Sequence, residues 1–272
     1  MGKLFVVGTP IGNLSDFSAR AIQTLRDVDF IAAEDTRVSV KLLNHFEIKK
    51  PMFSYHAHNI REKGDQIVKR IALGESCAII TDAGMPCISD PGEDLVRICK
   101  LNQIEVVVVP GPSAVISALA LSGLSTTRFC FEGFLSVRKN NRMEHLNSLI
   151  NETRTIIFYE APHKLIATLT DILQILGNRN IALARELTKR YEEVIHTNVS
   201  QALELYETKS PRGEFVIVIE GISKKEEKTI TLEEAGAMVI ALKEQGLSTS
   251  NAAKEISAKT GFKKGDLYKF AL

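Results

Sequence analysis

The sequence predicts an α/β protein built from two α/β domains, with a parallel-rich sheet in the first, a mixed sheet in the second and a small helical C-terminal extension. Three observations predict it. Up to about residue 122, short apolar runs alternate with stretches of helical periodicity, as parallel strands joined by crossover helices do. Between residues 129 and 220 several strand-like runs follow one another with few crossovers, which suggests a mixed sheet. After a charged linker at 221–231, three short helical stretches are punctuated by Gly246 and Gly261, a pattern resembling helix-turn-helix. The small and polar run 122–127 marks the internal boundary, so the expected domains are 1–122, 123–222 and 223–272.

In the first domain, residues 4–7 read as a strand, 8–13 as a turn, and Ser15 as the N-cap of a helix to about Arg26. A strand at 29–33 runs into Glu34-Asp35-Thr36-Arg37, followed by helices at 38–45 and 60–73. Strands at 77–80 and 104–109 flank a helix at 93–100, and Pro110 to Ala114 opens a small-residue helix to about Ser122. In the second domain, strands are expected at 129–134, 155–159, 181–186, 193–197 and 214–220. A basic loop at 138–142 leads a helix to about Ile150, and further helices begin near Pro162 and span 200–207. The extension reads as helices at 232–244, 248–259 and 264–271.

The chain of 272 residues carries a net charge of +1, so a polyanion would have to be met by local basic patches rather than by the overall field. Cys77, Cys87, Cys99 and Cys130 lack metal or redox spacing and read as reduced, mostly buried thiols. No apolar run reaches membrane-spanning length, and the N-terminus enters a strand directly, so a cytoplasmic protein is expected.

Three loops at predicted strand ends carry the chemistry. Gly8-Thr9-Pro10-Ile11-Gly12 lacks dinucleotide spacing, and Pro10 removes one N–H that a pyrophosphate cradle would use. It can still approach an uncharged or cationic ligand, although an ordinary tight turn explains it nearly as well. Asp82, at the next strand end, is followed by Ala83 and Gly84, small enough to admit a ligand, whereas Asp90 before Pro91 reads as a helix initiator. Pro110 to Ala114 repeats the strand–turn–helix arrangement, with capping by Ser113 as the plain alternative. Together the loops predict a pocket. His56-Ala57-His58 has no further ligand at metal spacing, so no metal is expected.

Seven motifs stand in one order: Val7-Gly8-Thr9-Pro10-Ile11-Gly12-Asn13-Leu14, Ala33-Glu34-Asp35-Thr36-Arg37, Asp82-Ala83-Gly84-Met85-Pro86, Ser89-Asp90-Pro91-Gly92, Pro110-Gly111-Pro112-Ser113-Ala114, Tyr159-Glu160-Ala161-Pro162-His163 and Arg185-Glu186-Leu187-Thr188-Lys189. In this the chain resembles the tetrapyrrole methylase superfamily, and within it the bacterial 16S ribosomal RNA (cytidine-2′-O)-methyltransferases. The resemblance covers residues 1–222, and the helical tail is similar to that group's extension. It implies two α/β domains of tetrapyrrole methylase type, a homodimer, and S-adenosylmethionine in the cleft between the domains. The implied cofactor contacts are Pro10, Ile11, Gly12, Asp82, Ala83, Gly84, Met85, Ser113 and Ala114, with Glu160, Ala161 and Pro162 from the second domain. The implied substrate is the ribose 2′-hydroxyl of a cytidine near the decoding centre of 16S RNA, in the small ribosomal subunit or as naked RNA. For a general base the candidates are Glu34 and Asp35, with Lys189 as a neutral amine if burial depresses its pKa. Arg37, Arg138, Lys139, Arg142, Arg185 and Arg190 are the candidate RNA contacts. Two other readings stay open: a methyltransferase acting on a tetrapyrrole or other small molecule, and a non-catalytic RNA-binding protein.

Overall fold

The computed structural model describes residues 2–56, 60–222 and 231–270; residues 57–59, most of the expected linker and the last residue of the expected third tail helix lie outside them. The chain divides into two compact units, Met1–Ile222 and Ser223–Leu272.

The first sheet of the larger unit has five parallel strands, β1 (Leu4–Val7), β2 (Phe30–Ala33), β3 (Met52–Ser54), β4 (Cys77–Ile80) and β5 (Val106–Val109), in the order β3-β2-β4-β1-β5. Successive side chains point to opposite faces, so each strand must be apolar on both. On one face Leu4, Val6, Phe30, Cys77 and Ile79 pack against α3 (Ile60–Ala72) and α4 (Glu93–Leu101). On the other, Val7, Ile31, Ala33, Ala78 and Ile80 pack against α1 (Ala19–Asp27) and α2 (Thr36–His45).

The second sheet is mixed, in the order β6-β7-β10-β8-β9, from β6 (Phe129–Phe134), β7 (Thr155–Glu160), β8 (Asn180–Arg185), β9 (Glu193–Asn198) and β10 (Phe215–Ile219). Only β6 and β7 pair in parallel. One face is covered by α6 (Lys139–Ser148), α7 (Leu165–Leu176) and α8 (Val199–Thr208). The other face is covered by α5 (Ala114–Leu121), whose Val115, Ala118 and Leu119 are buried against Ile157, Ala182, Ala184 and Val216. A helix that follows directly from β5 thus completes the core of the second sheet. The chain leaves one lobe as a loop and enters the other as a buried helix, which joins the two sheets around their shared cleft.

Several local expectations shift. Ser15 lies in a short 3-10 turn, its amide capped by the Asn13 side chain, and Ser18 is the N-cap of α1, accepting from the Ala21 amide at 3.1 Å. The expected basic loop at 138–142 is instead the start of α6. Strand β3 carries no strong apolar signal because all three of its residues are only half-buried.

The smaller unit contains α9 (Leu232–Glu244), α10 (Thr249–Thr260) and α11 (Lys264–Phe270), which pack on one another around Ala235, Val239, Ala252, Ala253, Ile256 and Leu267. Thr231 and Glu234 form a capping box, and Gly261 ends α10 in the left-handed conformation that glycine adopts freely. Among the described residues no helix is long and apolar enough to cross a membrane.

Candidate active site

The loops after β1, β4 and β5 meet backbone to backbone. Thr9 and Gly84 exchange two amide bonds at 2.9 and 3.2 Å, and the Thr9 hydroxyl donates to the Thr81 carbonyl at 3.1 Å. Gly8 and Gly111 touch so closely that a Cβ on either would lie 2.7–2.8 Å from the other's backbone, which is why neither position accepts a side chain. Gly12 is pressed against Thr188 and Lys189 of the second lobe in the same way. Glycine here serves loop-to-loop packing.

Between these loops and the β7, β8 and β10 ends of the second sheet lies a cavity of about 520 Å³, within the range of small-ligand sites. The first lobe supplies Ile11, Ala83, Gly84, Met85, Ser113 and Ala114, and the second Glu160, Ala161, Pro162 and Lys189. Three residues implied as cofactor contacts, Pro10, Gly12 and Asp82, do not line it. Gly12 is occupied by packing, and Asp82 turns sideways to accept the Asp35 amide at 3.3 Å. The wall also contains Asp90, Phe134, Tyr159, His163, Leu187 and Glu214, which motif reading did not single out as ligand contacts.

Asp90 is the main departure from expectation. Gly92, not Asp90, is the N-cap residue of α4, with φ 133°, a conformation few other residues adopt. A Cβ on Gly92 would fall 2.8 Å from the Cys87 sulfur. The helix starts at Glu93 as expected, but with Gly92 as its cap, and the Pro91-Gly92 turn leaves Asp90 half-buried on the cleft wall. Pro-Gly is itself a turn signal, and weighting it above the Asp-Pro signal would have found this. Burial, together with the charges of Glu34 and Asp82, pushes the Asp90 carboxyl up to about 7.

Glu34 and Asp82 form a lattice with Asp35 at the ends of β2 and β4. The Asp35 amide donates to Asp82, and the Asp82 amide donates to Glu34 at 3.5 Å. Burial and the neighbouring Asp82 charge raise the Glu34 pKa, and burial raises that of Asp82. Asp35 behaves oppositely. It caps α2 through the Arg37 amide and accepts three side-chain bonds from Arg37 at 3.0, 3.2 and 2.6 Å, and these bonds hold its pKa at about 2. A carboxylate held that low is a poor proton acceptor, which removes Asp35 from the candidate bases.

Lys189 does not become a neutral amine. Burial disfavours its charge, but bonds to Glu214 and Glu186, both at 2.9 Å, outweigh that and raise its pKa. Glu160 is buried and fully engaged, accepting from the Ala161 amide at 2.8 Å and the Thr168 hydroxyl at 2.5 Å, with Lys164 at 3.0 Å. It shapes the wall without offering a free carboxylate. Among the candidate RNA contacts, Arg142 is buried and ion-paired with Asp171 at 2.7 Å, so it is unavailable to a phosphate. Arg185 is tied to Glu193 at 3.1 Å and to the Arg212 carbonyl. Arg37, Arg138, Lys139 and Arg190 are exposed, and Arg190 lies 5.6 Å over the ring of the exposed Tyr191.

The fold and cleft define a two-sheet α/β protein with a cavity of small-ligand size where the loops of both sheets converge. Residues 3–203 match the family model described as Tetrapyrrole (Corrin/Porphyrin) Methylases, and the chain belongs to that family of methyltransferases. It is 44% identical over 273 residues to Ribosomal RNA small subunit methyltransferase I of Synechocystis sp., covering 100% of this chain and 98% of the relative. Its match to the protein of the same name from Thermotoga maritima is 49% identical over 221 residues, 81% of this chain and 99% of the relative. Among solved structures, uroporphyrin-III C-methyl transferase from Thermus thermophilus, complexed with S-adenyl homocysteine, superimposes with a TM-score of 0.57. At 17% identity, over 80% of this chain and 97% of that one, this likeness concerns the fold alone.

Proposed function

We propose that this protein transfers the methyl group of S-adenosylmethionine to the ribose 2′-oxygen of a cytidine in 16S ribosomal RNA near the decoding centre. The observation that carries the reading is the end-to-end similarity to proteins named for methylation of small-subunit ribosomal RNA. The ordered motifs at Glu34-Asp35-Thr36-Arg37 and Gly8-Thr9-Pro10-Ile11-Gly12 support the finer assignment to a cytidine 2′-oxygen.

The residues present fit the cofactor. The wall of the cleft is largely apolar and small at Ala83, Gly84, Ser113, Ala114 and Ala161, which suits a nucleoside, and the half-buried Asp90 carboxylate suits a cation. Bound there, S-adenosylmethionine supplies an activated methyl group on a sulfonium. The protein's part is to hold the hydroxyl in line with it, to keep water out with Phe134, Tyr159 and Phe215, and to accept a proton. Positioning alone contributes about 7 kcal/mol or more in ideal intramolecular cases. A cytidine must be turned out of folded RNA to expose its 2′-oxygen, and stacking is the usual means. Arg190 and the exposed Tyr191, adjoining cleft residue Lys189, supply such a pair. Arg37, Arg138 and Lys139 suit the phosphate backbone. The reading includes cytoplasmic residence, a homodimer and a three-domain division at 122 and 222 in which α5, although it precedes the first boundary, packs on the second sheet.

The test is incubation with labelled S-adenosylmethionine and either small ribosomal subunits or naked 16S RNA, then mapping of the labelled nucleotide. Label on a cytidine ribose is expected. Label on a base, on another RNA or on an added porphyrin would overturn the reading.

A further inference from the structure

The four acidic side chains clustered near the ends of β2 and β4 have different amounts of freedom. Asp35 is consumed by Arg37 and by capping α2. Glu34 and Asp82 each accept a backbone amide of the neighbouring strand end. Asp90 lines the cavity, and among the described residues nothing hydrogen-bonds to it or pairs with it.

Its position is built into a constrained loop. Cys87 and Ser89, with φ of 74° and 63°, sit in the left-handed region that side chains disfavour. Gly92 is wedged between Cys87 and Ile79, and Gly133 of β6 closes over the Ser89 hydroxyl, with its Cβ position 3.3 Å away. Packing from both lobes therefore holds the segment in a conformation that directs Asp90 to the cleft.

We propose that Asp90 is a catalytic residue: its carboxylate accepts the proton of the substrate hydroxyl during methyl transfer. The inference rests on the methyltransferase reading above. In the step, a lone pair of the hydroxyl oxygen forms the new O–C bond and the S–C bonding pair stays on sulfur as a thioether. The O–H proton passes to Asp90, so a sulfonium and a carboxylate become a neutral thioether and a carboxylic acid. No other co-reactant is needed.

The surroundings suit that role. Glu34 and Asp82 face Asp90 from the ends of β2 and β4, Cys87 from its own loop, and Tyr159 from β7 across the cleft. His163 lines the same cavity from the loop after β7, while Lys189 and Glu214 neutralise each other there. Burial and the two carboxylates bring Asp90 to about 7, so at neutral pH about half of it is ready to take a proton and none is held by a cation of the protein.

The experiment compares wild type with Asp90→Asn in two ways. Calorimetric titration with S-adenosylmethionine near pH 7, in buffers of different ionisation enthalpy, counts protons released as the cationic ligand meets the cleft. Wild type is expected to release a fraction of a proton and Asp90→Asn none. Single-turnover methylation of small subunits is then followed against pH. Wild-type rate should rise with pH through a midpoint below the ligand-free value of about 7, because the bound sulfonium favours the carboxylate, and the variant should be slower by at least about a hundredfold, the lower range for a lost general base, without that limb. Undiminished proton release in Asp90→Asn, a rate close to wild type, or a slow variant that keeps the limb would overturn the proposal. The last outcome would assign the proton to another cleft group such as His163. A wild type that modifies no ribosomal RNA yet loses its proton release in Asp90→Asn sinks the RNA reading while supporting Asp90 at the reacting centre.

Discussion

The two walls of the cleft use the same residue types for opposite ends. On the second-lobe wall every acidic side chain is matched: Glu160 by Lys164 and Thr168, Glu186 and Glu214 by Lys189. On the first-lobe side only Asp90 lines the cleft, with Glu34 and Asp82 behind it at the strand ends and Arg37, the nearby cation, committed to Asp35. A matched buried carboxylate holds its neighbours in place, because removing it strands a partner without solvent. An unmatched one raises its own pKa and is available to a proton or a cation. The contrast separates scaffold from chemistry in a site where residue type alone does not.

The strongest way to break the comparison is to remove a matched group. Glu160→Ala strands Lys164 and Thr168 and should cost about 3–5 kcal/mol, the range for breaking a buried pair. Chemical denaturation would show it as a large fall in midpoint, and an unchanged midpoint would mean that this wall is not held as described. At the rim, Tyr191→Ala should weaken RNA binding by about 1–3 kcal/mol, as loss of a stacked base does. Filter binding with the RNA substrate tests it, and S-adenosylmethionine affinity should not change.

Removing an unmatched group should act in the opposite sense on stability. The folded-state pKa of Asp90 lies above its ordinary value, so between about 4 and 7 the native state binds more protons than the unfolded chain. That contribution is fully present at low pH and is lost as pH rises through about 7. Asp90→Asn should therefore raise the melting temperature at pH 8 and leave it nearly unchanged at pH 4; a lower value at pH 8 would contradict the unmatched charge. The smallest effect expected is from Glu34→Gln. With one like charge gone, the Asp90 pKa should fall, moving the midpoint of the rate–pH profile downward with little change in S-adenosylmethionine affinity. A midpoint that stays put would separate Glu34 from Asp90.

Most elements could be read from the chain because their signals are local. The β-branched run at Val106–Val109, the apolar run Cys77–Ile80 and the capped, Gly-punctuated helices of the extension declare themselves within a few residues. The errors fell where two local signals compete. Asp90-Pro91 reads as a helix start and Pro91-Gly92 as a turn, and the turn won because Gly92 packs into a space no side chain fits. At 138–142, basic residues suggest a solvated loop, yet they form the first turn of α6, from which Arg142 reaches Asp171.

By itself, then, the sequence determined the order of strands and helices apart from β3, the three loops that meet at the cleft and the family. Only the tertiary structure decided which charges are spent. Arg142 finds Asp171 29 residues away and Lys189 finds Glu214 25 residues away, while Asp90 finds no partner among the described residues. Periodicity and turn chemistry act between neighbours in the chain, but the cost of a buried charge depends on what the fold brings beside it.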